Sequence, residues 1–382
     1  MNKLNLKILI KESLMNKLGI VVGTRPSIIK MSPIIQEIKN RKIPFFVIHS
    51  GQHYTKNMSQ TFFDDLNLPP PDYNCETVKE KKHHGEQTAE MLVFVEKILL
   101  QERPRILLVG GDANTNLAAA LAARKLKISV GHVEAGLRSY NWEMPEEHNR
   151  VIIDHISDYL FAPSKKAEEI LKLDNVRGKI FVVGSTIVDA INQNLQIAEK
   201  KSKWFNEINL NVDNDYLLMT VHREENVDDR LKFEEIISTI ERISQKYDLP
   251  IIFPIHPRTK NRLMLFDLLD RITKIKSLKL TNPLGYLDFL LLLSKASIVL
   301  TDSGGVQQEA CILRVPCITL RTETEWIETV EVKANIVTGT KPDEVLKGVE
   351  KMLNSDRDWR NPFGEEGSAR MIIEIITQEI LT

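Results

Sequence analysis

The chain has 382 residues, 42% of them apolar and 27% charged, and a formal net charge of −1. Such a length suits two domains or somewhat more at ~150 residues each, and the composition is that of a folded globular protein, not of a disordered tail or a secreted mini-domain. The near-neutral balance leaves no electrostatic footprint for a nucleic acid or an anionic membrane. Cys75, Cys311 and Cys317 form no CxxC pair and no disulfide framework; they read as buried free thiols suited to a reducing cytoplasm. No apolar run reaches the roughly 18 residues of a membrane span: the greasiest stretch, 287–300, is interrupted by Asp288 and Lys295.

The run Lys7-Ile-Leu-Ile-Lys-Glu12 is too short and too charged for a signal peptide, and Met15 opens a better start, so residues 1–14 read as an appended or mis-called leader. Beyond them, short β-branched runs alternate with helical periodicity, the pattern of βαβ units and parallel sheets. Strands are predicted at 18–22, 45–49, 106–109, 129–133, 159–162 and 180–183. From Pro26, the apolar residues Ile28, Met31, Ile35 and Ile38 recur at helical spacing behind a first-turn proline. The second half repeats the pattern, with strands at 216–220, 251–255, 278–280, 298–301 and 317–320. A helix there carries Phe233, Ile236, Ile237, Ile240 and Ile243, and a final amphipathic helix carries Ile372, Ile373, Ile376 and Ile380. By composition alone, the polar stretch 200–215 looks like the join. Two doubly wound α/β domains in tandem imply a cleft faced by the carboxyl ends of both sheets, where such sheets bind ligands.

Several polar clusters directly follow predicted strands. Gly23-Thr24-Arg25-Pro26 with Lys30 joins a glycine turn, a helix start and two cations, an anion site or else an ordinary turn with surface cations. Gly110-Gly111-Asp112 puts a carboxylate at a sheet edge or caps the next helix with it. His132-Val-Glu134-Ala-Gly-Leu-Arg138-Ser139 precedes Pro145-Glu146-Glu147-His-Asn149-Arg150. Asp112, Glu134 and Glu146 could share one pocket and do acid and base work, or Glu146 and Glu147 could be solvated glutamates favoured at a helix start. In the second half, His222-Arg223 and His256 each lie just beyond a strand. Thr301-Asp302-Ser303-Gly304-Gly305 forms a turn that could cradle phosphate, with Glu309 placed to hold a ribose diol.

Other chemistries lack their motifs. There is no GxGxxG after a strand, no Tyr-x-x-x-Lys pair, no GxxxxGK[ST] loop and no nucleophile elbow around Ser303. His132-x-Glu134 has no accompanying PCxxC, and the DxD strings at Asp213–Asp215 and Asp356–Asp358 fall in turn-like stretches. No metal site is indicated. The residues together suit a nucleotide-diphosphate sugar, with the sugar among carboxylates of the first domain and the nucleotide on the second.

At these positions the sequence resembles the non-hydrolysing UDP-N-acetylglucosamine 2-epimerase family. The matching strings are Gly-Thr-Arg-Pro with Lys30, Gly51-Gln52-His53, the Gly-Asp segment at 111–115, His-Val-Glu-Ala-Gly-Leu-Arg-Ser, Pro-Glu-Glu-x-Asn-Arg, His222-Arg223, Thr-Asp-Ser-Gly-Gly and Asn361-Pro-Phe-Gly. They run in order from about residue 18 to the C-terminus. The resemblance implies a GT-B-like fold: an N-terminal Rossmann-like domain at 15–183, a UDP-binding Rossmann-like domain at 184–366 with the hinge near Gly184, and a C-terminal helix, 367–382, packed back on the first domain. It implies reversible interconversion of UDP-N-acetylglucosamine and UDP-N-acetylmannosamine without NAD or an essential metal, through elimination of UDP to a 2-acetamidoglucal and its re-addition. It also implies a cytoplasmic homodimer whose partner is the UDP-sugar, with no nucleic acid or membrane involved.

Family motif positions map the acidic trio onto Asp112, Glu134 and Glu146, with acid and base left open among them. Arg25, His222 and the Ser303-Gly304-Gly305 turn are implied to stabilise the departing diphosphate. Arg223 and His256 join the UDP side, Glu309 the ribose, Arg150 the sugar side, and Lys30 the first-domain wall. Departures from the family pattern are Ser27 for the usual acidic residue, Ala113 in the common Gly-Asp-Thr, and Thr324-Glu325-Trp326-Ile327-Glu328 for Thr-Glu-Arg-Pro-Glu. The last variant also occurs in relatives acting on diacetamido uronic acid sugars. Thr55 and His83-His84-Gly85-Glu86 differ from the bacterial pattern associated with activation by substrate at a second site. The rival readings are a hydrolysing 2-epimerase that releases N-acetylmannosamine and UDP, a 2-epimerase for a diacetamido uronic acid UDP-sugar, a GT-B glycosyltransferase and a non-catalytic nucleotide-sugar binding module.

Overall fold

The computed structural model of the protein describes residues 17–52, 62–81, 83–202 and 215–381; residues 1–14, His53, Thr55 and most of the polar stretch 200–215, with Asp213, lie outside them. The β-branched runs form parallel strands, the central ones buried on both faces, as sheets covered by helices require. In the first sheet these are β1 (Leu18–Val22), β2 (Phe45–His49), β3 (Tyr73–Asn74), β4 (Ile106–Gly110), β5 (Ser129–Val133), β6 (Tyr159–Ala162) and β7 (Lys179–Val182). Their order is β3-β2-β1-β4-β5-β6-β7, with every pairing parallel. The second sheet comprises β8 (Leu217–Thr220), β9 (Ile251–Pro254), β10 (Leu278–Thr281), β11 (Ile298–Thr301), β12 (Cys317–Thr319) and β13 (Asn335–Val337). Its order, β10-β9-β8-β11-β12-β13, is again parallel throughout. Each sheet has the doubly wound order of a Rossmann-like domain. The direction of winding reverses between β1 and β4 in one and between β8 and β11 in the other, and ligands bind at the carboxyl ends beside such reversals.

The chain divides into two compact units. One closes at Gln193 and takes back the chain from Phe363; the other is Asn194–Pro362. The return is fixed by main-chain and carboxylate bonds. Ser185 N donates to Phe363 O at 3.1 Å, and the buried Asp189 carboxylate accepts from Gly367 N at 2.6 Å and Ala369 N at 2.7 Å. Asp189 thereby caps the helix Ser368–Ile376, whose apolar face (Ile372, Ile373, Ile376) is buried, and which packs on the helix Arg25–Asn40. The chain then widens into a π-helical turn, Thr377–Leu381, held by Arg105, whose Nη2 donates to Ile380 O at 3.1 Å.

The strand predictions match the observed strands to within a residue or two at each end. Tyr73–Asn74 and Asn335–Val337 are additions, two and three residues long at the sheet edges. All three cysteines are buried free thiols; burial pushes Cys311 up to about 12 and Cys317 higher still. No helix among the described residues is long and apolar enough to cross a membrane.

Candidate active site

At the carboxyl end of β1 the chain enters the helix Arg25–Asn40 through a reciprocal cap. Ser27 N donates to Thr24 Oγ1 at 3.3 Å, and Thr24 N returns a bond to Ser27 Oγ at 3.2 Å. A capping box normally uses Glu or Gln at the third helical position; here a serine does the same work. Pro26 supplies a preset φ in the first turn. Arg25 is exposed, its guanidinium carbon 6.0 Å from the Phe62 ring centre. One turn on, Lys30 points across the sheet edge and its ammonium is paired with the Glu134 carboxylate.

Glu134 follows β5 in a left-handed backbone conformation, φ +70°, rare for a residue with a side chain. Its main-chain N–H is anchored on Phe161 O at 3.1 Å, and its side chain is 7% exposed. Burial alone would depress the Lys30 ammonium, but the Glu134 and Asp112 carboxylates outweigh it and hold Lys30 above its ordinary value. Asp112 follows β4 through Gly111, whose φ of +83° calls for glycine and whose N–H donates to Val133 O at 3.1 Å. Of the two roles read for Asp112, the structure shows the sheet-edge one. Ala113 is the N-cap residue of the helix Asn114–Lys125 and makes no side-chain cap bond, while the Asp112 carboxylate pairs with Arg150. Lys30, Asp112, Glu134 and Arg150 therefore meet around Gly111 as two carboxylates, each bound to a cation that is less than a quarter exposed.

The helix Pro145–Ile156 separates two neighbouring glutamates. Glu146 is exposed and makes no hydrogen bond or ion pair among the described residues. Glu147 is buried: it accepts from Ser139 N at 2.9 Å, Ser139 Oγ at 2.8 Å, Tyr140 N at 3.1 Å and Arg150 Nη1 at 3.0 Å. Burial opposes its ionisation, but those donors hold Glu147 below the usual carboxylate value. Glu147 is thus a strut for the 139–140 loop and for Arg150. Asn149 ties the same helix to Asp112, donating to its main-chain oxygen at 2.8 Å.

In the second unit the centre is Asp302, buried at the end of β11. Its carboxylate accepts from His222 N at 3.0 Å, Arg223 N at 2.9 Å and Asn226 Nδ2 at 3.2 Å, and lies 3.3 Å from His222 Nδ1. Burial again opposes ionisation, and the His222 ring with these N–H groups holds Asp302 below its ordinary value. The His222 and His256 rings stand 5.3 Å apart. His256 Nδ1 accepts from Arg258 N at 3.2 Å, capping the helix Pro257–Leu265; burial, His222 and Arg258 lower its basicity. Arg258 is itself engaged by Asp228 and Glu224, whereas the Arg223 side chain is exposed. Ser303 N donates to Thr301 Oγ1 at 3.0 Å, and the helix Gly304–Ile312 begins with the two glycines. Glu309 on that helix is buried, and burial pushes it up to about 7 even though the Tyr286 hydroxyl favours its ionised form. Among the described residues no group of His, Cys, Asp and Glu has the arrangement of a metal site.

A family profile described as UDP-N-acetylglucosamine 2-epimerase matches residues 36–377. The chain is 53% identical, over 94% of its length and 99% of the relative's, to a Methanocaldococcus jannaschii protein named UDP-N-acetylglucosamine 2-epimerase. It belongs to the UDP-N-acetylglucosamine 2-epimerase family. A crystal structure of the M. jannaschii UDP-GlcNAc 2-epimerase in complex with UDP-GlcNAc and UDP superimposes with a TM-score of 0.83 at 52% identity, covering 95% of this chain and 99% of the other. A Pseudomonas aeruginosa UDP-2,3-diacetamido-2,3-dideoxy-D-glucuronate 2-epimerase is 37% identical over 88% of this chain and 92% of its own. The fold is accordingly the GT-B-like pair of Rossmann-like domains.

Two of the departures from the epimerase pattern have local explanations. Ser27 completes the capping box that opens the Arg25–Asn40 helix. The variant segment at 324–328 packs on the Gly304 turn. Thr324 Oγ1 donates to Gln307 Oε1 at 2.5 Å, Glu325 pairs with Arg321 at 2.7 Å, and a Cβ at Gly304 would collide with the Glu325 carboxylate. Glu147, read as a solvated helix-start glutamate, is instead buried against the Ser139 and Tyr140 N–H groups, and Asp302, inside the glycine-turn motif, gathers His222, Arg223 and Asn226. Asp154, which binds His132 and Arg138, lies outside the motif strings and carried no signal in the sequence.

Proposed function

We propose that the chain interconverts UDP-N-acetylglucosamine and UDP-N-acetylmannosamine by inverting C-2 of the sugar. The observation that carries this reading is the juxtaposition of Asp112 and Glu134 at the ends of neighbouring parallel strands, each bound to its own cation. The 53% identity to a protein of that name supports it. The C-2 proton has no carbonyl beside it to make it acidic, so the chemistry depends on UDP leaving. The C-1–oxygen bond breaks with its electron pair going to UDP, the C-2 proton passes to a carboxylate of the Asp112, Glu134 and Glu146 set, and a C-1=C-2 double bond forms. Return of a proton to the opposite face of C-2 and of the UDP oxygen to C-1 completes the inversion, and nothing is oxidised. General acid–base assistance of this kind supplies about 10²–10⁴-fold, and donors preorganised around the departing diphosphate supply the rest.

In this reading Arg25, His222, Arg223 and the Ser303-Gly304-Gly305 turn receive the diphosphate, and Glu309 receives the ribose. His256 supports His222 from behind, and Arg150 and Lys30 orient the carboxylates and the sugar. Metal and NAD have no role in the scheme. The chain acts as a homodimer in the cytoplasm, and sedimentation of the purified protein checks the assembly. The test is incubation with UDP-N-acetylglucosamine alone. UDP-N-acetylmannosamine should accumulate to an equilibrium mixture while total UDP-sugar stays constant; stoichiometric release of free UDP would instead mark a hydrolysing enzyme.

A second reading, a diacetamido uronic acid UDP-sugar as substrate, is favoured by the segment Thr324–Glu328 and by the 37% identical relative. The higher identity to the N-acetylglucosamine enzyme weighs against it. Competition between the two UDP-sugars for one enzyme sample decides by the ratio of kcat/KM.

A further inference from the structure

Asp112, Glu134 and Arg150 come from three different elements, and a chemical step needs them held to a fraction of an ångström. Behind them lies a buried polar frame. His132 on β5 is enclosed, with Nδ1 2.7 Å from Asp154 Oδ1 and Nε2 3.1 Å from Gly111 O. The other oxygen of Asp154 accepts from Gly136 N at 3.2 Å and Arg138 Nη1 at 2.7 Å. Arg138 Nη2 continues to Asp174 Oδ2 at 2.7 Å. Every anchor of the frame is a near neighbour of a site residue. Gly111 directly precedes Asp112, His132 stands two residues before Glu134, and Asp154 lies one helical turn beyond Arg150 on the same helix.

We propose that His132 is a positioning residue for the epimerisation, its ring fixing the spacing of Asp112, Glu134 and Arg150 by joining β5, the β4 turn and the Pro145–Ile156 helix. This rests on the reaction assigned above. Nε2 faces the Gly111 carbonyl and Nδ1 the Asp154 carboxylate, so each ring nitrogen ties His132 to a different element. The His132, Asp154 and Arg138 side chains are at most 3% exposed, which distinguishes them from a group that exchanges protons with substrate.

The experiment uses the full-length protein and two variants. His132→Asn retains an amide near the Nδ1 position, and His132→Gln one near the Nε2 position, so each keeps half of the frame. Each variant should lose about 100-fold in kcat with KM nearly unchanged, the loss that a misplacement of about 1 Å brings. A folded variant with wild-type kcat overturns the proposal; where neither folds, Asp154→Asn, which keeps the shape of the partner carboxylate, is measured in their place, with the same loss expected and wild-type kcat again overturning it. Incorporation of deuterium at C-2 is followed in all three proteins. If the wild type does not exchange, the assigned reaction fails and takes the proposal with it; if the wild type and both variants exchange equally fast, the proposal alone fails.

Discussion

Glu134 holds a left-handed backbone, which costs a residue with a side chain on the order of 1 kcal/mol or more, and its carboxylate is nearly enclosed. The Lys30 ammonium compensates both the burial and the charge. Lys30→Met should therefore lower the stability to unfolding by about 2 kcal/mol, the worth of a charged hydrogen bond, measured by urea denaturation, and should depress kcat more than Lys30→Arg does. Glu309 gives a pH-dependent counterpart. Its folded-state value, pushed up to about 7 by burial, lies above its ordinary 4.5, so the unfolded chain gives up this proton first as pH rises. The contribution of Glu309 is then fully present below about pH 4.5 and is lost as pH rises through about 7. Glu309→Gln does not titrate, and its stability relative to wild type should improve between pH 5 and pH 8 by on the order of 2 kcal/mol. Thermal melts at the two pH values check this, and a constant difference would contradict the assignment of Glu309 as a buried acid.

Among the elements, the capping of the helix Ser368–Ile376 by Asp189, from a different helix, links the returning chain to the first unit. Asp189→Ala removes both acceptor oxygens and should cost about 2 kcal/mol. Amide hydrogen exchange should show faster exchange confined to residues 367–381 and their contacts on the Arg25–Asn40 helix. The parallel strands were legible in the sequence because burial on both faces leaves unbroken β-branched runs such as Leu18–Val22 and Ile106–Gly110. Tyr73–Asn74 and Asn335–Val337 were not, because a two- or three-residue edge strand is specified by its neighbour and not by its own pattern. The site was partly legible for the same reason. Asp112 and Glu134 stand just past strand ends, and Lys30 and Arg150 in the first two turns of helices, where chemistry collects. The helix Pro145–Ile156 offers few apolar residues with which to phase it, so the choice between Glu146 outside and Glu147 inside could not be read. Nor could Asp302, whose donors His222 and Arg223 lie about 80 residues earlier in the chain.

For the whole molecule, the proposed scheme divides the chemistry between the two Rossmann-like units: carboxylates with their cations on the first, and the Asp302–His222 turn and glycine helix start on the second. UDP alone should therefore stabilise the protein, by about 2.7 kcal/mol at 100 times its dissociation constant. Glu134→Gln should keep that thermal shift while losing about 10²–10⁴-fold in turnover, and His222→Ala should lose much of the shift. A Glu134→Gln enzyme that turns over normally would remove the carboxylates from the mechanism. The most direct test of the account is incubation of the enzyme with UDP-N-acetylglucosamine in deuterated water. Elimination and re-addition predict deuterium at C-2 of both UDP-sugars, with no net release of UDP. Epimerisation that leaves protium at C-2, or UDP accumulating in step with free N-acetylmannosamine, would contradict it.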